Sequence, residues 1–279
     1  MRLGVLLAAR SLEEADTRLS QAREAGFSLC QMNLQKGGCS RVELVTLADH
    51  MLEHGVRPVA IGCYVNPIRP DAAGPLGVSR EDLIQLLHYL DIIGARRVVF
   101  SSGTFSDTPF DPHPDNTSED ALAMLAEFVS DVVAQTRARR YQLVIEPWYG
   151  HVLYNEDRVI AFHQLLDPAV SEHVRYVIDA CSMIGPERYA ERDKAARHIL
   201  RAIGKAAGVV HLRDCIMPPD GEADLVPPGQ GTLDYAAYVS ALQEFVPEDT
   251  PAVIRNLPPD EFAQSRDYLL RLSDDWQLT

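Results

Sequence analysis

The chain has 279 residues, of which 46% are hydrophobic and 24% charged, and its 40 acidic against 26 basic side chains leave a formal net charge of −14. Such a surface repels a phosphate backbone, and no Lys/Arg cluster long enough to line a basic groove interrupts it, so a nucleic-acid partner is not expected. Five scattered cysteines, Cys30, Cys39, Cys63, Cys181 and Cys215, form no C-x-x-C pair, which argues against a disulfide framework or structural zinc and points to a reducing cytoplasm.

The first apolar run, 3–9, is too short for a secretion signal and reads as a strand, LGVLL at 3–7. No stretch approaches the roughly 20 apolar residues of a membrane helix, so no membrane partner is expected. A helical pattern over 12–26 follows, then strands at 28–35 (SLCQMNLQ) and 56–65 (VRPVAIGCYV). A second helix is predicted over 81–95, a strand over 96–102 (RRVVFSS) and a long helix over 119–140. The remaining strands are YQLVIEP (141–147), VRYVIDA (174–180), GVVHLRD (208–214) and PAVIRNL (251–257), with a helix over 233–246 before the last. Apolar residues recur every three or four positions in the helices and run almost unbroken in the strands, as strands covered on both faces require. Gly26, Gly55 and Gly94 stand just past helix ends, where a left-handed residue stops a helix. The Pro-rich segments 66–75 and 218–228 read as long loops after strands three and seven. Eight strands alternating with helices predict an α/β fold, a single (β/α)8 barrel domain over 1–279. An open doubly wound sheet is the alternative, but no G-x-G-x-x-G turn follows the first strand, and no nucleotide cofactor is expected.

Function in such barrels collects at the carboxyl ends of the strands. Glu146 ends strand five, Asp179 ends strand six, His211 lies in strand seven and Arg255 in strand eight, each after an apolar run. Taken singly, each has a bland explanation: a carboxylate can cap a helix, and a lone histidine is more often a satisfied core residue. Burying an unpaired charge costs several kcal/mol, so four of them on adjacent strands point to one shared polar space.

Several segments then carry a resemblance. VIEPWYG, RYVIDACSM, VVHLRD and the following GQGTLDYAAYVSAL, with VAIGCYVNPIRPD and VVFSSGT upstream, are similar in order and spacing to motifs of the sugar phosphate isomerase/epimerase superfamily, the xylose isomerase-like barrels. The resemblance runs from strand three to the last helix. It implies an isomerase of a small sugar, free or phosphorylated, or of a hydroxy- or keto-acid, and a homo-oligomer. It also implies one divalent metal (Mn, Zn or Mg) held by Glu146, Asp179, His211 and a second Glu. That second Glu is missing: Arg255 stands in its place. Ser182 stands where relatives often carry Asn or His, and is counted with the substrate-binding residues.

Arg255 changes the expected chemistry. A guanidinium is always protonated and a poor base, so epimerisation by a pair of carboxylates is not expected, whereas an enediol-type proton transfer by Glu146 alone survives. Two outcomes stay open. Arg255 takes the metal's place beside Glu146 and Asp179, or the three ligands keep a metal and Arg255 turns to an anionic part of the substrate. Trp148, Tyr149 and His151 are read as a wall and a hydrogen bond for a polyol, with packing of a loop as the alternative for Trp148. Asn66 and Arg69 are read as contacts to substrate oxygens and His113 as part of a lid loop. Arg213 and Asp214 are expected to pair with each other, and His50 and His54 to lie on a solvated helix face. A non-catalytic, degenerate ligand-binding member of the family is the competing function. An apurinic endonuclease-like activity is disfavoured, because a three-metal site needs many more ligands and the acidic charge opposes DNA.

Overall fold

In the computed structural model, which describes residues 1–34, 40–71, 78–108, 111–136, 140–217, 224–255 and 257–278, eight apolar segments form parallel strands. These are β1 (Arg2–Ala9), β2 (Leu29–Leu34), β3 (Arg57–Gly62), β4 (Arg97–Ser101), β5 (Gln142–Glu146), β6 (Val174–Ile178), β7 (Ala207–Leu212) and, last in the chain, β10 (Pro251–Ile254). Their ladders close in the order β1-β10-β7-β6-β5-β4-β3-β2, so no barrel strand keeps an open edge. The fold is the expected (β/α)8 barrel. Tight register carries chemistry-bearing residues to one level: Ser101 pairs with Glu146, and Val253 with His211.

Two packed regions follow from the two-residue period of a strand. One residue from each of several strands, Leu29, Val59, Val99, Val144, Val177, Val209 and Val253, forms a small cluster on the barrel axis. The alternate residues, such as Leu143, Ile145, Ile178, Val210, Leu212 and Ile254, point outward into the larger core against the helices. That layer includes α1 (Leu12–Glu24), α2 (Arg41–His54), α3 (Arg80–Tyr89), α4 (Glu119–Thr136) and α5 (Glu156–Leu165). It continues with α6 (Pro168–Ser171), α7 (Ala180–Met183), α8 (Arg192–Ile203), α9 (Tyr235–Phe245) and α10 (Phe262–Leu272). Ser40 and Ser79 start α2 and α3 as reciprocal capping boxes with Glu43 and Asp82. Gly55 and Gly94, at φ 63° and 67°, end the turns that lead into β3 and β4, as their sequence positions predict.

Some boundaries differ from expectation. The helix predicted to reach residue 95 tightens into a 3-10 turn over Leu90–Ile93. Strand seven leaves the barrel after Leu212, and Asp214–Ile216 (β8) pairs antiparallel with Asp224–Val226 (β9). Part of the expected 218–228 loop is therefore strand. The ladder satisfies backbone groups of a segment that has no barrel neighbour left. Residues 72–77 and 218–223 of the two Pro-rich loops, residues 137–139 of the predicted helix, and Cys39 lie outside the described residues. The chain ends are tied together, with Leu3 donating its amide to the Gln277 carbonyl (2.7 Å) and Gln277 to Met1 (3.0 Å). Among the described residues no helix is long and apolar enough to cross a membrane.

Candidate active site

One inward step beyond four of the axial valines stand polar residues. Adding two to Val144, Val177, Val209 and Val253 gives Glu146, Asp179, His211 and Arg255, and adding two to Leu29 gives Gln31. The strand period thus stacks a polar layer directly on an apolar one at the carboxyl end of the barrel. All four groups read from the sequence meet there. One ligand-capable atom each from Glu146, Asp179 and His211 lies within 4.8 Å of the others, and all three residues are buried.

Arg255 lies in the middle of this group. Its Nη1 donates to Glu146 Oε1, stands 3.0 Å from His211 Nδ1 and lies 3.7 Å from Asp179 Oδ2. Glu146 Oε2 accepts a second hydrogen bond, from the Tyr64 hydroxyl at 2.7 Å. Burial alone would raise the Glu146 carboxyl, but the Arg255 guanidinium above all, with Arg213, outweighs it and holds the group well below the usual carboxylate range. The same burial, reinforced by the Glu146 charge, raises the Tyr64 phenol, which stays a proton donor.

The protonation pattern of His211 follows from its neighbours. Gln31 Nε2 donates to Asn33 Oδ1 (3.0 Å), which leaves Gln31 Oε1 as an acceptor 3.0 Å from His211 Nε2. The imidazole proton therefore sits on Nε2 and the lone pair on Nδ1, facing the Arg255 guanidinium. Burial lowers the His211 pKa and Arg255 adds to this, against the opposing pull of Glu146, so the ring is neutral at pH 7.

Asp179 is held from its other side. Arg213 Nε lies 2.8 Å from Asp179 Oδ2, and Arg213 Nη2 donates to Ser182 Oγ at 2.5 Å. The Ser182 amide donates to Asp179 Oδ1 (3.1 Å), making Asp179 the cap of α7 as well as part of the site. The expected Arg213–Asp214 pair is not formed. Adjacent residues of an extended chain point to opposite sides, so Arg213 turns inward. The Asp214 carboxylate instead accepts from the amides of Cys215 (2.8 Å), Gly231 (3.0 Å) and Leu233 (3.1 Å). Asp214 is close enough to Cys181 and Cys215 to form a second candidate ligand group. Its oxygens are spent on these loop amides, and the Cys181 thiol is pushed up by its hydrogen bond to Cys215 and by burial.

The remaining residues singled out from the sequence take varied positions. The Asn66 amide is engaged on both sides, donating to Thr104 O (2.8 Å) and accepting from the amides of Ile68 and Thr104 (both 3.2 Å), so it joins the loops after β3 and β4. Arg69 pairs with Asp107 on the surface. Trp148 is half-buried and stacks edge-on against His151, centroids 4.8 Å apart, with Tyr149 at 4.9 Å. His151 is buried, and Ser182 is spent on Arg213 rather than open to the mouth. His113 accepts from the Asp115 amide (3.3 Å) in a short turn. His50 and His54 both face Asp16 on α1, at 3.7 and 2.8 Å. Tyr64, Gln31 and Arg213 are site residues whose roles the sequence alone does not reveal. A polar residue between Cys30 and Met32 on a buried strand is the signal for Gln31, and the Tyr of the strand-three motif the signal for Tyr64.

The donor set tests whether a divalent cation fits. Two carboxylates and a neutral imidazole nitrogen are suitable ligands, but the point where they converge is taken by Arg255 Nη1. As arranged, the residues do not accommodate the metal.

The chain matches the family model described as xylose isomerase-like TIM barrel over residues 19–270. No curated protein sequence matches it significantly. Among solved structures it is similar to a xylose isomerase-like TIM barrel protein from Mycobacterium smegmatis in complex with magnesium (TM-score 0.70, 14% identity, 97% of this chain and 96% of that one). It is also similar to D-allulose 3-epimerase from Methylomonas sp. in complex with D-allulose (0.69, 13%, 98% and 97%). A third similar structure is 3-keto-D-glucoside 4-epimerase from E. coli (0.66, 17%, 97% and 99%). At these identities the structures testify to the fold, while the family model covers most of the sequence: the chain belongs to the xylose isomerase-like TIM barrel family.

Proposed function

We propose that the protein is an isomerase of small polyhydroxylated carbonyl compounds, sugars or hydroxy- and keto-acids, moving a proton between adjacent carbons through an enediol. The observation that supports this most is the meeting of Glu146, Arg255, His211 and Tyr64 in one buried polar layer at the barrel mouth. Glu146 is the single base. Its Oε1 is bound to Arg255, so a substrate carbonyl that takes over that guanidinium hydrogen bond both becomes polarised and releases the carboxylate oxygen for the proton. Arg255 keeps its charge throughout and stabilises the developing enediolate, within which the hydroxyl proton passes from one substrate oxygen to the other before the second carbon is protonated. With Arg255 facing Glu146 and Asp179 held by Arg213, Glu146 acts alone and the proton leaves and returns on one face, which gives aldose–ketose interconversion rather than two-base epimerisation. Trp148 offers an apolar face for carbon-bound hydrogens of a polyol.

Proton NMR in D2O with a panel of aldoses, ketoses and hydroxy-acids tests this. Solvent deuterium is expected at the carbon next to the carbonyl with the wild type, and Glu146→Gln is expected to lower the rate by about 10²–10⁴-fold. Absence of both deuterium exchange and interconversion with every compound defeats the proposal. A second reading, a non-catalytic sugar-binding protein, draws on the fact that both Glu146 oxygens are already bonded. Saturable sugar binding without deuterium exchange is its signature.

A further inference from the structure

The charges of the polar layer cancel among themselves. Glu146 and Asp179 carry one negative charge each, Arg255 and Arg213 one positive charge each, and the neutral His211 points a lone pair inward. All five are buried or nearly so, with Arg255 14% exposed at its side chain. Low surrounding polarisability makes net charge costly in such a place, so a balanced set is the stable one. A divalent cation added to it would leave two uncompensated positive charges, and bonds of about 2.0–2.2 Å to the same three ligand atoms would put it on top of Arg255 Nη1.

We infer that Arg255 is a built-in replacement for a divalent metal ion, and that the centre is metal-independent. The guanidinium nitrogen touches each group that would ligate a cation: hydrogen-bonded to Glu146 Oε1, 3.0 Å from His211 Nδ1 and 3.7 Å from Asp179 Oδ2. It supplies the positive charge permanently, because it is covalently attached and not titrated at any ordinary pH. What it cannot supply is an open coordination position. The substrate group this centre takes is therefore one recognised by hydrogen bonds from a planar cation, a carbonyl or enediolate oxygen, rather than oxygens chelated by a metal. The inference refines the site of the isomerase reading, and its test does not depend on turnover.

The test is metal analysis of purified protein together with calorimetric titration by Mn²⁺. Wild type is expected to carry no stoichiometric metal, to show no saturable Mn²⁺ binding and to keep its melting temperature in EDTA. Arg255→Glu changes the layer from neutral to two negative charges. Two unit charges altered about 4 Å from a doubly charged ion change its affinity by at least about 100-fold even at the dielectric constant of water. The variant is thus expected to bind one Mn²⁺ and to melt higher in its presence. One equivalent of chelator-removable metal in the wild type overturns the inference, and so does a folded Arg255→Glu protein that binds Mn²⁺ no better. Where Arg255→Glu does not fold, as judged by circular dichroism, Arg255→Gln decides: Mn²⁺ binding gained on loss of the positive charge supports the replacement, and none gained refutes it. Since no sugar enters the measurement, a protein inactive on every compound can still give the expected metal result. A metal-loaded wild type leaves the deuterium-exchange experiment open.

Discussion

Each polar side chain of the barrel mouth has its protonation set by the next one. Asn33 orients the Gln31 amide, the amide places the proton of His211 on Nε2, and the bare Nδ1 can then face a guanidinium without a clash of donors. Tyr64 closes the set by donating to the Glu146 oxygen that Arg255 does not use. Removing that hydroxyl leaves an ionised, buried carboxylate one donor short. Tyr64→Phe is expected to cost about 1.5–3 kcal/mol, the range for a hydrogen bond to a charged group, seen as a lower urea midpoint at unchanged slope. A variant that unfolds at the wild-type midpoint shows that the hydroxyl is not bonded to Glu146.

At the scale of elements, the segment after β7 matters most for keeping the mouth in shape. The strand must deliver His211 inward, release Arg213 toward Asp179 and then turn away, and the fully buried Asp214 makes this turn by gathering three amides from Cys215 and the 231–233 loop. Asp214→Ala leaves two buried donors and the half-buried Gly231 amide without an acceptor, at about 1–3 kcal/mol for each buried one, so a loss of about 3 kcal/mol is expected. Limited proteolysis should then cut between 217 and 232 well before the rest of the barrel unfolds. Equal protection of that stretch in wild type and variant contradicts the anchoring role. The motif that resembles a family signature in the sequence has a physical task here. His, Arg and Asp occur together because one strand end serves the axis, the neighbouring strand and its own loop.

For the whole molecule, the same buried layer links stability to pH. His211 has its folded pKa lowered from 6.5, chiefly by burial, so the unfolded chain binds the proton more readily and stability falls as pH drops below about 6.5. Glu146 is likewise lowered, chiefly by Arg255 against its burial, so its contribution is complete above about 4.5 and is lost as pH falls further. Both signs agree. The urea midpoint is expected to be flat above pH 7 and to decline in two stages on acidification. Glu146→Gln should remove the lower stage, and a midpoint that rises between pH 7 and 5 contradicts both assignments.

The sequence by itself determined the barrel and the level at which its chemistry lies. Strand and helix periods are local, and a two-residue step from Val144, Val177, Val209 and Val253 lands on Glu146, Asp179, His211 and Arg255 whatever surrounds them. It could not show which of these groups touch, because a contact between residues 109 positions apart, such as Glu146 and Arg255, depends on distances across the closed ring. Arg213 shows the same limit: its sequence neighbour Asp214 looked like its partner, yet strand alternation turns the two apart and the barrel brings Asp179 within 2.8 Å. Only the tertiary structure decided that Arg255 Nη1 stands among the three ligand atoms, since ring closure and side-chain length together fix where a guanidinium on the last strand ends.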